Sequence, residues 1–435
     1  MKKKLLSVLL IMAMAASLVV GCGNKEEASS EEGGEVKIQF MHMQVEQERL
    51  DVVQALIDKF QEENPGIVVE SVPVNEDDYD SKITALGGSG ELPAVVEYSQ
   101  DQAKASVANQ FTDTDANKAV IEEFGVENFY EGALTLTKTE DGSSYVGVPV
   151  SSWVQGIWVN TAMLAEKNLE VPTNWDEVLE VAKAFYDPDN RMYGIALPTG
   201  DNAFTEQCFS QFAISNNANV FDGDKNVTVN TAEMKEALEF YKELASYSMP
   251  GSTEVADVND AFVGKNAPMA LYSTYILGGV NEAGFAEDLT LVLPNNKQEA
   301  AFGCITNFGI AAGMDEAQTE AAKKFVAFML EAENNVEWLN MAPGGVQPVV
   351  VGITDMPEFT ELEGRLAYVH MNDAITNAVE NLQLFGAVDG KNIMAMGDVT
   401  NTGVIIKMVN NVVVQEADVQ AEIDTAQAAV EDLMK

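Results

Sequence analysis

The most constraining feature of this sequence is the alternation of strand-like and helix-like periods that begins near residue 35. Residues 35–43 alternate polar and apolar side chains, which is the period of a strand. Between residues 50 and 60, apolar side chains recur every three or four positions and predict an amphipathic helix that ends at Asn64-Pro65-Gly66. Residues 67–74 are rich in β-branched side chains and predict a second strand. Strand, helix and strand in this order predict an α/β fold built on βαβ units.

The alternation continues along the chain. Further strands are predicted at residues 92–96, 146–150, 156–160, 268–272 and 308–312, and further helices are predicted to begin near Asn174, Thr231, Asp315 and Asp418. Asn174 is placed to cap its helix, and Glu177, three residues later, completes a capping box. About 400 residues of this kind exceed what one hydrophobic core holds, so two domains are expected.

The N-terminal segment predicts export and a lipid anchor. Three lysines precede an apolar run over residues 5–20, which is short for a membrane span, and Gly21-Cys22 follows. We therefore predict a lipoprotein signal peptide at residues 1–21, lipidation of Cys22, and a flexible, polar tether at residues 22–35. The alternative is an ordinary secretory signal with an incidental cysteine. No second segment approaches the ~18 apolar residues of a membrane span, so only the anchor is expected to contact the membrane.

The net charge argues against two classes of partner. The formal charge is −44, and it becomes −47 when the three lysines leave with the signal peptide. Such a surface repels nucleic acid and anionic lipid headgroups, so neither is expected to bind. A solubilising surface on an exported protein is the favoured interpretation.

The cysteines and histidines of the sequence give little evidence for a metal site or a disulfide. Besides Cys22 the chain has Cys208 and Cys304, which could pair outside the cytosol but are interpreted as two buried free thiols. No CxxC motif occurs, and His42 and His370 are far apart in the sequence. No metal and no cofactor are predicted.

One segment imitates a calcium-binding loop. Asp222, Asp224 and Asn226 supply oxygens at positions 1, 3 and 5, and Glu233 stands at position 12. Position 6, however, is Val227, where the sharp turn of such a loop needs glycine. A hairpin turn is therefore favoured, and calcium binding stays open.

The motifs of catalysis are absent from the sequence. The chain has 69 carboxylates, yet it contains no GxSxG, no HExxH and no phosphate-binding glycine loop. A glycosidase needs two carboxyl groups roughly 5 to 9 Å apart, which a sequence neither shows nor excludes. We predict that the protein is not an enzyme.

Trp153 is the most suggestive single residue for binding. It follows a predicted strand end within a small polar turn, Ser151-Ser152. An aromatic ring at a crossover between two domains suits the C–H face of a sugar, while packing in the core is the alternative.

Several short motifs, in a fixed order, resemble a known family. They are Phe60-x-x-x-Asn64-Pro65-Gly66-Ile67, Leu92-Pro93-Ala94-Val95-Val96, Val148-Pro149, Trp158-Val159-Asn160, Val171-Pro172-Thr173-Asn174-Trp175-Asp176-Glu177, Phe262-x-Gly264-Lys265-x-Ala267-x-Met269-Ala270 and Gly344-Gly345-Val346-Gln347-Pro348. Nearly the whole mature chain resembles the extracellular solute-binding proteins of bacterial ABC importers, in the carbohydrate-binding group related to maltose-binding protein. Ala94 departs from the Pro-Asp-Val of that group, and Tyr272-Ser273-Thr274 replaces its usual glycine.

The resemblance implies a periplasmic-binding-protein-like fold of two α/β lobes with the ligand in the cleft between them. The implied lobes are residues 36–150 plus 270–310 and residues 151–269 plus 311–435. Three chain crossings form the implied hinge, near residues 149–153, 269–273 and 308–313. Ligand that contacts both lobes favours the closed form.

The resemblance also implies a set of cleft residues, which lie in loops after strands or beside the crossings. They are His42, Gln44, Tyr98, Ser99, Gln100, Trp153, Tyr275, Asn307, Gly344 and Gly345. Their amides and hydroxyls would bind sugar hydroxyl groups, and their rings would stack on the sugar.

The implied function is that of a monomeric, lipid-anchored receptor on the outer face of the cytoplasmic membrane. It would bind a mono- or oligosaccharide and deliver it to the permease subunits of an ABC transporter. The alternatives are the same fold with a non-sugar solute, such as a glycerophosphodiester or a small cation, a secreted glycoside hydrolase, and a surface adhesin.

Overall fold

The structure is a computed structural model that describes residues 35–435. The strands in this part of the chain are β1 (Val36–His42), β2 (Ile67–Pro73), β3 (Val95–Tyr98), β4 (Val148–Asn160), β5 (Met269–Ser273), β6 (Leu289–Val292), β7 (Phe302–Ile310), β8 (Ala387–Val388) and β9 (Lys391–Asn392). The predicted signal peptide, lipidation of Cys22 and tether fall almost entirely outside the described residues.

Helices connect these strands and cover the sheet. They are α1 (Gln47–Glu63), α2 (Glu76–Ser89), α3 (Gln100–Ala108), α4 (Thr114–Phe124), α5 (Glu131–Thr137), α6 (Thr161–Glu166), α7 (Trp175–Phe185), α8 (Ala203–Ser215), α9 (Ala232–Ala245), α10 (Val255–Val263), α11 (Ile276–Glu282), α12 (Glu316–Leu330), α13 (Ala332–Leu339), α14 (Pro357–Thr360), α15 (Glu363–Leu366), α16 (Asn372–Glu380), α17 (Met396–Thr402), α18 (Val404–Val413) and α19 (Val419–Leu433). Short 3₁₀ helices occupy Val126–Asn128, Pro188–Asn190, Ala286–Asp288, Ile353–Asp355 and Val369–Met371. Within residues 35–435, no helix combines the length and the apolar character needed to cross a bilayer.

The predicted βαβ unit is confirmed. β1 and β2 pair in parallel over their whole length, and α1 crosses between them with Val53, Ile57 and Phe60 on its buried side. The predicted cap at Asn174 is also confirmed, because its side chain accepts a hydrogen bond from the backbone N–H of Glu177. The predicted capping box is not complete. In a capping box the Glu177 carboxylate would accept from the backbone N–H of Asn174, but here it accepts from the backbone N–H and the hydroxyl of Thr173.

A mixed parallel and antiparallel sheet of seven strands lies at the centre of the described part of the chain. Its strand order is β2-β1-β3-β7-β4-β5, with β6 also paired to β4. β1 runs parallel to β2 and β3, whereas β7 is antiparallel to both β3 and β4. The fold class predicted from the sequence, α/β, is therefore observed.

The prediction of two separate strands at residues 146–150 and 156–160 is wrong. These segments belong to the single 13-residue strand β4, whose first part pairs with β7 and whose last part pairs with β5 and β6. A register shift between Pro149 and Ser151 interrupts the ladder without ending the strand. Ser151, Ser152 and Trp153 are thus strand residues rather than a turn, because each of them pairs directly with a residue of β7.

The first strands and the late helices share one core. The Phe40 ring of β1 lies 5.0 Å from Phe308, 5.3 Å from Phe325 of α12 and 6.4 Å from Trp338 of α13, measured between ring centroids. Residues 316–339 therefore pack with elements assigned from the sequence to the first lobe, although the sequence grouped 311–435 with the second. The apolar side chains after Asp315 predicted the helix α12 correctly, but helical periodicity does not say which strand a helix covers.

Candidate functional site

A cavity of about 130 Å³ opens where several of these elements converge. Its floor comes from the adjacent strands β4 and β7, and its sides come from the start of α3, from α8 and from α17. The lining residues are Gln100, Asp101, Lys104, Trp153, Ala203, Glu206, Gln207, Ser210, Phe302, Gly303, Cys304, Leu384, Phe385, Met396, Gly397 and Thr400. The wall is therefore mixed, with aromatic rings, carboxyl groups, an ammonium and amides facing one space.

The floor presents two aromatic rings. Trp153 and Phe302 come from neighbouring strands, and their ring centroids lie 5.7 Å apart with a tilt of 43°. Gly303, next to Phe302, lets the two strands approach, because an added Cβ would collide with the backbone oxygen of Trp153. The Trp153 ring is half-buried, so part of it remains available to a ligand.

The start of α3 supplies the polar groups on one side of the cavity. Ser99 caps this helix in a reciprocal capping box with Gln102. Gln100 is only 2 % exposed, and neither its amide oxygen nor its amide nitrogen finds a partner among residues 35–435. The Lys104 ammonium follows one turn later, and its carboxylate neighbour Asp101 is 3.8 Å away at the rim. Burial lowers the pKa of Lys104, and Asp101 partly offsets this.

α8 supplies a buried carboxyl group on the other side. Glu206 is 7 % exposed, and its Oε1 accepts a hydrogen bond of 2.6 Å from the Thr400 hydroxyl of α17. Its Oε2 has no partner among the described residues. Burial raises the pKa of Glu206 to about 7, Asp101 adds to this, and the Thr400 hydrogen bond opposes it. Buried polar atoms without partners are costly, which is typical of groups that a ligand satisfies.

The two cysteines are both free, which confirms the interpretation of unpaired thiols. Cys208 is buried beneath the cavity and accepts a hydrogen bond of 2.9 Å from Gln155. Cys304 is half-buried and lines the cavity itself, and burial raises its pKa to about 11. A thiol with this pKa stays protonated at neutral pH and acts as a weakly polar wall atom.

We expect Glu206→Gln to change how stability depends on pH. An exposed carboxyl titrates near 4.5 and that of Glu206 near 7, so the folded protein holds an extra proton between these values. The stabilisation from this proton is complete below pH 4.5 and is lost as the pH rises through 7. Glutamine carries no charge, so the variant should gain stability relative to the parent as the pH rises, by ~3 kcal/mol above pH 7.

Thermal unfolding of both proteins between pH 4 and 8, without ligand, measures this difference. The gap in melting temperature should widen from pH 4.5 to 7 and then stay constant. Glu239→Gln, at an exposed position of α9, is the control, and its curve should run parallel to that of the parent. Parallel curves for Glu206→Gln as well would contradict the prediction.

Of the ten residues that the resemblance implied, Gln100 and Trp153 line the cavity. His42 is buried at the end of β1, where its Nε2 lies 2.8 Å from the Ser71 hydroxyl and burial lowers its pKa to about 4. Gln44 donates to the buried carboxylate of Glu97 at 3.1 Å. These two side chains bind their own neighbours outside the cavity wall.

The predicted residues on β3 and β7 also have internal partners. Tyr98 is buried, and its ring covers Gly309 so closely that an added Cβ there would collide with it. Ser99 serves as the α3 cap, and Asn307 is buried on β7 with its amide donating to the Ile305 oxygen at 3.0 Å.

The remaining predicted residues meet each other beside β5. The Tyr275 ring lies against Gly345, because an added Cβ there would come within 2.8 Å of it. The Gly345 oxygen accepts a hydrogen bond of 2.6 Å from Thr274, and the Gly344 oxygen accepts one of 2.6 Å from Gln347. This group lies outside the cavity, and a binding role for it stays a prediction.

The sequence interpretation missed Lys104, Glu206, Phe302 and Thr400. Lys104 carried a usable signal, since it follows Gln100 by four residues and thus shares its helix face. Glu206 carried none, because it is one of many carboxylates and only the packing of α8 beside α17 buries it.

The segment that imitates a calcium loop is a hairpin turn, as favoured from the sequence. Phe221 and Val227 pair as an antiparallel bridge, and Asp222 Oδ1 accepts from the backbone N–H groups of Asp224 and Asn226 at 2.9 Å each. In the described part of the chain, no three His, Cys, Asp or Glu side chains are grouped so that they could hold a metal ion.

The fold and the mixed cavity define the class of this protein. The sequence profile of the bacterial extracellular solute-binding proteins matches residues 55–367. The chain belongs to this family, and it is a solute-binding receptor of an ABC transporter.

A relative and two solved structures extend this assignment. The chain is 43 % identical to the putative ABC transporter periplasmic-binding protein YcjN of Escherichia coli K12. The alignment spans 428 residues and covers 98 % of each chain. It superimposes on the cyclic alpha-maltosyl-1,6-maltose binding protein of Arthrobacter globiformis with a TM-score of 0.76 and 19 % identity, covering 92 % of this chain and all of that one. It also superimposes on a solute-binding protein of Agrobacterium radiobacter K84 in complex with ribitol, with a TM-score of 0.71 and 18 % identity, covering 93 % of this chain and all of that one. The fold is that of the periplasmic binding proteins, and these relatives are binding proteins rather than enzymes.

Proposed function

We propose that this protein is the carbohydrate receptor of its ABC transporter. The observation that carries the proposal is the cavity lined by the Trp153 and Phe302 rings and by Gln100 and Glu206, whose side chains hold polar atoms without partners among the described residues. Sugars present apolar C–H faces and hydroxyl edges, which match rings and polar groups respectively. The two structural neighbours described above bind a cyclic maltosyl-maltose and ribitol, which supports a hydroxyl-rich ligand.

In this proposal two lobes close on the ligand. The three crossings expected from the sequence would run through β4, β5 and the end of β7, and β4 with β7 forms the cavity floor. α3 would belong to one lobe, and α8 with α17 to the other, so a ligand between them contacts both. A ligand that contacts both lobes binds the closed form more tightly than the open form, and this difference in affinity shifts the population toward the closed form. The permease would then recognise the closed receptor and take the ligand unchanged.

We further propose that lipid on Cys22 holds the receptor, as a monomer, at the outer face of the cytoplasmic membrane. The proposal rests on the lysines, the short apolar run and Gly21-Cys22 of the sequence. Cys22→Ser should release the protein from washed membranes into the medium. Membrane retention of this variant would contradict the anchor.

A thermal-shift screen tests the carbohydrate proposal. The purified protein is heated with each of a panel of mono- and oligosaccharides, and at least one should raise its melting temperature, by mass action on the folded state. Solution scattering with that sugar should show a smaller radius of gyration. A panel that produces neither change would contradict the proposal, and amino acids, glycerophosphodiesters and cations serve as comparison ligands.

Glycoside hydrolysis is the second candidate, because Asp101 and Glu206 bring two carboxyl groups to one cavity. The binding-protein relatives favour a receptor over this candidate. Prolonged incubation with the bound oligosaccharide should therefore yield no shorter products.

A further inference from the structure

We infer that the ligand is an uncharged polyol of monosaccharide size, held by Gln100 and Lys104 of α3 on one side and by Glu206 of α8 on the other. The inference rests on the proposed carbohydrate-binding function and adds to it the size of the ligand and the residues that select its groups.

The volume of the cavity sets the size. One buried water needs about 10–15 Å³ of cavity volume, so the cavity of about 130 Å³ has room for about ten waters. A hexose has about twelve non-hydrogen atoms and a pentitol about ten, whereas a tetrasaccharide has roughly forty-five. The space therefore matches one sugar unit.

Packed side chains form one part of the cavity wall. Leu384, Phe385 and Met396 are all buried in the wall. The Phe385 ring is fixed from behind by Phe209 of α8, with 6.3 Å between the ring centroids. A ligand that extended toward these side chains would have to displace them from a packed core, which costs free energy.

The polar groups are divided between the two sides. Lys104 can donate and Gln100 can both donate and accept on the α3 side, whereas Glu206, whose Oε2 has no partner among the described residues, lines the α8 side. A polyol with hydroxyl groups at both ends supplies an acceptor to Lys104 and a donor to Glu206 at once. Among the described residues Lys104 has only Asp101 at 3.8 Å, and the Oε2 atom of Glu206 has no partner, so a ligand hydroxyl would add a hydrogen bond to each group.

The charges in the wall argue for an uncharged ligand. The single cation Lys104 is accompanied by the carboxyl groups of Asp101 and Glu206. A phosphorylated sugar would meet repulsion from the Asp101 carboxylate and from Glu206 once it ionises, and a site for it would need several cations.

Isothermal titration with two sets of probes tests the inference. The small set is D-glucose, D-galactose, D-tagatose and ribitol, and the long set is maltotriose and maltotetraose. At least one small probe should bind, and its affinity should fall about tenfold in Lys104→Met and in Glu206→Gln, as expected for one charged hydrogen bond. Lys82→Met and Glu239→Gln, at exposed positions of α2 and α9, are the matched controls and should bind like the parent.

Each other outcome overturns a defined statement. Binding of long probes without small ones overturns the size inference and leaves the carbohydrate function standing. A small probe that binds Lys104→Met and Glu206→Gln as tightly as the parent overturns the assignment of these residues. No binding by either set overturns the proposed function, and this inference with it. Circular dichroism and thermal unfolding without ligand establish that each variant is folded.

Discussion

Trp153→Ala is expected to weaken sugar binding by roughly 70-fold while leaving the ligand-free protein folded. The ring lies on the cavity floor, tilted against Phe302 and half-buried, so a sugar can cover its free face. A ring face that shares about 100 Å² of apolar surface with a ligand contributes ~2.5 kcal/mol. Alanine removes this contact and leaves the hydrogen bonds of the α3 and α8 groups in place. Titration of the variant with the best ligand of the thermal-shift screen measures the loss.

Two further variants serve as a graded comparison and as a control for Trp153→Ala. Trp153→Phe keeps a smaller ring on the floor and should retain an intermediate affinity. Tyr186→Ala removes a ring that lies outside the cavity wall and should bind like the parent. If Trp153→Ala bound sugar as tightly as the parent, Trp153 would have no part in the site and the cavity would no longer support a carbohydrate ligand.

Phe40→Ala is expected to lower the free energy of unfolding by ~3–5 kcal/mol, which is the cost of deleting a large ring from a packed core. Phe40 is 0 % exposed and contacts rings from β7, α12 and α13. The loss is large because these elements come from distant parts of the chain and cannot easily collapse together around the cavity left behind. Urea denaturation followed by circular dichroism measures the change in free energy.

An exposed apolar residue provides the control for this experiment. Leu366 of α15 is 56 % exposed, and Leu366→Ala should change the free energy of unfolding by less than ~0.5 kcal/mol. Phe40→Leu should fall between the two, because it keeps most of the apolar volume. A loss below ~1 kcal/mol in Phe40→Ala would show that β1 and the late helices do not share one core.

The elements predicted best are those whose signal is local. The strand, helix and strand over residues 36–73 follow from side-chain periodicity alone, and the cap at Asn174 and the helix starts near Asp315 and Asp418 follow from residue type and position. β4 was divided wrongly because Ser151-Ser152 is typical of a turn. Only pairing with β7 keeps these residues extended, and that partner lies far along the chain.

The site shows the same division. Trp153, predicted from its place in the sequence, and Gln100, implied by the family resemblance, both line the cavity. Glu206 and Phe302 were not predicted. Their position depends on how α8 packs against α17 and on which strand lies beside β4.

The sequence by itself determined the α/β class, the order of the elements and the resemblance to the solute-binding family, because periodicity, caps and short motifs are properties of neighbouring residues. The tertiary structure alone decided which polar side chains are buried without partners and which rings face the same space. Burial and pairing depend on segments that are distant in the sequence, and one of many identical carboxylates becomes a binding group only when the fold removes it from water.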